Sequence, residues 1–178
     1  MKKLTTSIFA LLLLTLPAVI QAQHGHHSGG ESDFKAEFTE LIESYLVLKD
    51  HLIESNSDEA FKTTYELSSL LEEIGKHRLE GNDHMAWMEV YDSIESQLEA
   101  ISNSSDLDEL RTHFRSLSEE LAEAAQRFGV EGVVYVQSCP MALDNDGGSW
   151  LSREERIQNP YLPDTMLGCG EVIERIES

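Results

Sequence analysis

The sequence predicts a mainly α protein: an up-down antiparallel four-helix bundle with a small irregular C-terminal cap containing short β-strands. Three observations predict it. Apolar residues recur at three- and four-residue steps in four successive stretches. The links between these stretches are short, which makes successive helices antiparallel neighbours. Beyond residue 130 the texture changes to β-branched and aromatic residues set among glycines and prolines.

Composition narrows the function classes. The chain has 178 residues, with 13 Lys plus Arg against 33 Asp plus Glu, for a formal net charge of -20. Nucleic-acid binding needs a basic patch to neutralise phosphate, which so acidic a chain does not offer, and anionic lipid repels an acidic surface. A hydrophobic content of 40% is too high for a disordered acidic chain. Two cysteines exclude a disulfide-stapled miniprotein.

The elements follow in order. Lys2 and Lys3 precede an apolar run from Ile8 to Ile20, too short for a spanning helix, and Gln21-Ala22 closes it. Residues 1–22 therefore read as a secretory signal cut after Ala22. The protein is expected in the periplasm, soluble and with no membrane insertion after cleavage, where disulfides persist. Loss of Lys2 and Lys3 takes the charge to -22. Residues 23–32 carry no apolar period and read as a flexible tail holding His24, His26 and His27.

Residues 33–178 read as one domain, with the bundle at 33–129 and the cap at 130–178. Phe34, Phe38, Leu41, Ile42, Tyr45, Leu48 and Leu52 mark the first helix, which ends near Glu54 before a Ser-Asn-Ser-Asp turn. Phe61, Thr64, Leu67, Leu70, Leu71 and Ile74 mark the second, ended by Gly75 or by Gly81-Asn82-Asp83. Trp87, Tyr91, Ile94, Leu98 and Ile101 mark the third. Ser105 to Asp108 resembles a capping box. Leu107, Leu110, Phe114, Leu117, Leu121, Ala124 and Phe128 then alternate at steps of three and four, and Gly129 closes the fourth helix.

In the cap, Val133 to Gln137 reads as a strand and Asp144 to Gly148 as a turn. Ser149 to Leu151 reads as a short returning strand. Ser152-Arg153-Glu154-Glu155 has the pattern of a second capping box, predicting a short helix that ends before Asn159-Pro160. Val172 to Ile176 reads as a last strand.

Both cysteines fall in the cap, each beside a methionine. Cys139-Pro140-Met141 sets thiol and thioether two residues apart, and Met166-Leu167-Gly168-Cys169 sets them three apart in reverse order. If the two segments meet, four soft sulfur donors converge. Thiolate with thioether selects Cu(I), and Ag(I) by the same softness, whereas zinc rarely accepts methionine. An even pair of cysteines in an exported protein is usually a disulfide, and the plain reading of the spacing is a structural Cys139–Cys169 bond, with Met141 and Met166 as core filler.

Other candidates are weaker. His24, His26 and His27 can hold a divalent ion, or are incidental to a polar tail. His113 lies one residue off the apolar seam of the fourth helix and reads either as a cap ligand or as a helix-surface histidine. His51, His77 and His84 sit near helix ends, where the plain reading of the first two is a favourable terminus position. Asp144-Asn145-Asp146 with Glu155 has the outline of a calcium loop, but Gly148 and Ser149 occupy its fifth and sixth positions, where Asp or Asn and then Gly belong. No Ser-His-Asp order, phosphate loop, HExxH or CxxC is present, so no enzymatic turnover is expected.

Val134-Tyr135, Cys139-Pro140-Met141-Ala142, Trp150-Leu151-Ser152, Ile157 to Tyr161 and Met166 to Gly170 form a specific string. Tyr45 to Asp50 and Arg111 to Ser118 accompany it upstream. These residues resemble an exported domain of unknown function that stands alone in many Bacteroidetes. A similar domain occurs at the C-terminus of periplasmic adaptor subunits of copper and silver efflux pumps. The resemblance implies periplasmic binding of Cu(I) or Ag(I), with Cys139, Met141, Met166 and Cys169 as metal ligands. It implies a metal ion and a heavy-metal efflux complex or its adaptor subunit as partners. Ser138 stands where many members carry His, and Leu162-Pro163 where the family tends to Phe-Gly.

Overall fold

The computed structural model describes residues 28–177, with side chains from Ser32 onward. Four long helices are followed by a compact β-containing cap. The helices are α1 (Ser28–Ile53), α2 (Ser57–Ile74), α3 (Gly81–Ser102) and α4 (Leu107–Phe128). The expected signal segment and His24, His26 and His27 lie outside the described residues. Helix α1 opens at Ser28, inside the stretch read as a tail, and Phe34 is the first of its apolar residues to be buried.

Caps explain the helix limits. Asn56 Oδ1 accepts from the Glu59 N–H at 3.4 Å and starts α2. Gly75, at φ +68°, ends α2 and donates its N–H to Leu71 O. At α4 the cap is Asp106, whose Oδ1 accepts from the N–H groups of Asp108 and Glu109 at 3.1 and 3.0 Å. The reciprocal carboxylate is that of Glu109, which takes the Ser105 N–H at 2.7 Å.

Consecutive helices pack side by side, and α1 also meets α4. The apolar stripes read from the sequence are what they bury. Phe34, Phe38, Trp87 and Phe128 cluster at one end, with Phe34 and Trp87 edge to face at 4.9 Å. Tyr45 stacks on Phe114 at 5.1 Å, and Phe114, Tyr161 and Trp150 continue the aromatic chain into the cap.

The cap is a three-stranded antiparallel sheet of order β2-β1-β3, built from β1 (Val133–Cys139), β2 (Gly148–Ser152) and β3 (Glu171–Glu177). Two short turns of helix, α5 (Ala142–Asn145) and α6 (Pro163–Met166), interrupt it. The sheet lies along the bundle, with β2 against α4. Tyr45 anchors it: its hydroxyl accepts the Leu151 N–H at 3.1 Å and contacts Ser118 Oγ at 2.6 Å. Ser118 in turn donates to Phe114 O. Burial pushes the Tyr45 hydroxyl pKa far up, so it stays neutral.

The short helix expected at 152–158 does not form. Ser152 Oγ does accept an N–H, but that of Glu154 two residues on, which makes a turn. Gln137 Nε2 takes the carbonyls of Glu154 and Arg156 at 2.7 and 3.4 Å, the acceptors that a helical turn needs. Arg153 is held to the carbonyls of Glu131 and Val133 and to the Glu43 carboxylate. The segment runs instead as an irregular strap across the sheet.

Candidate functional site

The strap brings the two sulfur-bearing segments together. Cys139, the last residue of β1, is disulfide-bonded to Cys169, with Cα atoms 5.7 Å apart. Cys139 is fully buried and Cys169 is half-buried. The two methionines do not serve as core filler. Met141 is 47% exposed, and Met166 is half-buried at the end of α6.

The segment from 159 to 170 is held by its own side chains. Asn159 is buried and fully engaged. Its Oδ1 accepts the N–H groups of Tyr161 and Leu162 at 2.8 and 3.1 Å, and its Nδ2 donates to Cys169 O at 3.1 Å. Its own N–H donates to Leu167 O. The Asn-Pro-Tyr string therefore closes the loop that presents Met166 and Cys169. Pro163 opens α6, where a fixed φ suits a first helical position. The Met166 N–H donates to Leu162 O and the Cys169 N–H to Met166 O.

The other wall is equally constrained. Trp150 donates its indole N–H to Gln137 Oε1 at 2.7 Å, and Tyr161 donates its hydroxyl to Ser149 O at 2.6 Å. Burial raises the Tyr161 hydroxyl pKa well above its ordinary value. Gly170 brings the backbone against Ser138, where a Cβ would meet Ser138 O at 2.8 Å. Between the Met141 and β2 segments, Leu143, Asp144 and Asn145 take left-handed backbone angles, with φ of 50°, 59° and 76°. This reverses the chain within one turn and returns Gly148 opposite Cys139.

Arg111 fastens the strap to the bundle. Its Nε donates to Pro160 O at 2.9 Å and its Nη2 to Leu52 O at 3.0 Å. Sequence reasoning placed Arg111 in the family resemblance and gave it no role. The signal was a charged residue on the seam side of an apolar helix stripe. Asn159 likewise stands in that resemblance and is otherwise read as a helix stop.

His113 is half-buried on α4, one turn after Glu109. No described cap residue bonds to it. Asp144, Asn145 and Asp146 are exposed and form the turn expected of them. Among the described residues, no three His, Cys, Asp or Glu side chains are grouped to hold a metal. No described helix is long and apolar enough to cross a membrane.

Comparison with known proteins gives one match. A family model described as Protein of unknown function (DUF3347) matches residues 41–132, from the middle of α1 to just before β1. No curated protein and no solved structure matches.

Proposed function

The chain belongs to the DUF3347 family of proteins of unknown function, and from that premise and the geometry of the cap we propose that it binds soft monovalent metal, Cu(I) or Ag(I). The matched span ends before the cap, so the reading stands on the cap residues themselves. One observation carries it. Cys139 and Cys169 are held at bonding separation while Met141 stays at the surface beside them. A purely structural disulfide leaves the exposed Met141 thioether and the half-buried Met166 idle.

In this reading the disulfide is the closed, metal-free form. An external dithiol reduces it to two thiols by thiol–disulfide exchange and leaves as a disulfide, and a soft cation then displaces the two thiol protons. Cys139 and Cys169 supply thiolates. Met141 and Met166 adjust softness and leave the ion exchangeable, as sequestration or transfer to an efflux complex requires. The acidic surface draws cations toward the cap. Cysteine pairing fits an exported, periplasmic protein. No catalytic turnover is assigned.

The test is an anaerobic Cu(I) titration against a chromophoric chelator. The reduced protein, its disulfide-intact form and the Met141→Leu/Met166→Leu variant are compared. One tight equivalent in the reduced protein is expected, absent after oxidation and weakened at least tenfold in the variant. Failure of the reduced protein to compete with the chelator overturns the metal reading. It leaves an envelope interaction module closed by a structural disulfide.

A further inference from the structure

A second cluster of metal-type donors lies at the other end of the bundle. Helix α4 spans the distance: Arg115 reaches the cap at Gly147 O, and Arg127, about 18 Å further along the helix, pairs with Asp83. Asp83 adjoins His84 in the first turn of α3. Exposed His77, in the α2–α3 connection, stacks on His84 with ring centroids 5.2 Å apart and planes 29° apart. The connection is pinned over α3 by the Trp87 indole, which donates to Gly75 O at 2.8 Å.

Two further observations point to a ligand. His84 Nδ1 is buried and has no hydrogen-bond partner among the described residues. A buried polar atom left unpaired costs stability, and an ion is one of the ordinary reasons for it. Met88, half-buried, follows His84 by four residues and so lies on the same face of α3 one turn on. Three of the neighbouring cations are ion-paired. Lys76 pairs with Asp92 at 2.8 Å and Glu95 at 3.3 Å, Arg78 with Glu37, and Arg127 with Asp83 at 3.3 Å.

We propose that His77 and His84, completed by the Met88 thioether, form a second site for a soft monovalent cation, independent of the cap cysteines. With metal–nitrogen bonds of about 2 Å, two imidazoles on one ion at a bent angle have centroids about 5 Å apart, which is the separation found here. The site requires the exposed His77 ring to rotate from its stacked position so that a nitrogen turns toward His84. Imidazole with thioether suits Cu(I) and Ag(I), and the thioether disfavours zinc. Because no thiolate takes part, this site accepts metal while the Cys139–Cys169 disulfide is intact.

The experiment titrates Ag(I) into the disulfide-intact protein in chloride-free buffer, followed by imidazole 15N and methionine methyl 13C NMR. The His77, His84 and Met88 signals are expected to shift together and saturate at one equivalent. H77Q is expected to weaken Ag(I) binding at least tenfold with its helical circular dichroism unchanged. M88L, which conserves side-chain volume, is expected to weaken it several-fold and repeats the test should H77Q unfold. Movement confined to His24, His26 and His27, or to Met141 and Met166, overturns the proposal, as does parent-like binding by both variants. With the cysteines oxidised throughout, failure here and failure of the cap site are read separately.

Discussion

Arg111 donates its Nε–H to the carbonyl of Pro160 at 2.9 Å while its Nη2 reaches the carbonyl of Leu52 at 3.0 Å, so one guanidinium joins α1, α4 and the cap strap. Ser55 Oγ and Asp108 take further donors at 3.2 Å each. The planar fork serves several acceptors at fixed angles, which a lysine ammonium cannot reproduce. Arg111→Met keeps much of the bulk, strips the Pro160 carbonyl of its donor and leaves Leu52 O to the Ser55 N–H alone. The expected loss is about 2–3 kcal/mol of unfolding free energy, measured by urea denaturation. A midpoint equal to the parent's would mean that the strap does not need this tie.

The disulfide acts on a different part of the same strap. It closes a segment of sequence separation 30, for which chain-entropy reasoning gives roughly 3–4 kcal/mol. The four helices bury their own core without it. Reduction is therefore expected to lower stability by that amount while leaving helical circular dichroism nearly unchanged. Trp150, packed on Tyr161 at 6.0 Å between centroids, should report the loosening in its fluorescence. Loss of helix on reduction would show that the bundle depends on the cap.

The difference between these two ties explains what was legible in the sequence. The helices are local objects. The stripe Leu110, Phe114, Leu117, Leu121, Ala124 sits in one window of α4 and is buried as read. Gly75 was one of two stops open for α2, and the structure takes it, while the cap of α2, Asn56, falls inside the Ser-Asn-Ser-Asp turn. The meeting of Cys139 with Cys169 was one of the readings open, and the structure makes that bond. What local pattern could not supply was the path between them. Ser152-Arg153-Glu154-Glu155 carries a helix-start signal, and it loses to Gln137, a residue 17 positions upstream of Glu154. Asn159 looked like punctuation before Pro160, yet its side chain holds both ends of the strap. The stacking of His77 on His84 was equally out of reach, because a connection and a helix create it together.

Acid should loosen the start of α4 first. The N–H of Glu109, and then that of Asp108, holds the Asp106 carboxyl below its ordinary pKa, and the Ser105 N–H does the same for Glu109. A folded-state pKa that is depressed gives stability present above the unfolded value and lost as pH falls through the folded one. Both groups are exposed, so the effect is a fraying of one helix end. Amide exchange at Leu107 to Leu110 is expected to quicken as pH falls below about 4, after correction for intrinsic rates. Asp106→Asn keeps an accepting oxygen and removes the charge, so the part of this pH dependence due to Asp106 should vanish. An unchanged pH profile in the variant would assign it elsewhere.

Gly170 gives the sharpest steric prediction for the candidate site. Its φ is +139°, and an added Cβ would lie 2.8 Å from Ser138 O, 3.0 Å from Trp150 Cη2 and 3.3 Å from Ile157 Cγ2. The nearest of these is backbone in the neighbouring strand, and the tryptophan is held by its bond to Gln137, so neither can yield cheaply. Gly170→Ala must push the start of β3 from β1 and displace Cys169 with it. The expected cost is about 2–3 kcal/mol, with slower reoxidation of the cysteine pair, read by alkylation of free thiols. Gly168, two residues earlier, has nothing within 4 Å of an added Cβ. Gly168→Ala should therefore stay within about 0.5 kcal/mol of the parent. The pair of variants separates a general intolerance of the loop from the close approach at one backbone position. Equal behaviour of the two would show that this approach does not govern where Cys169 is held.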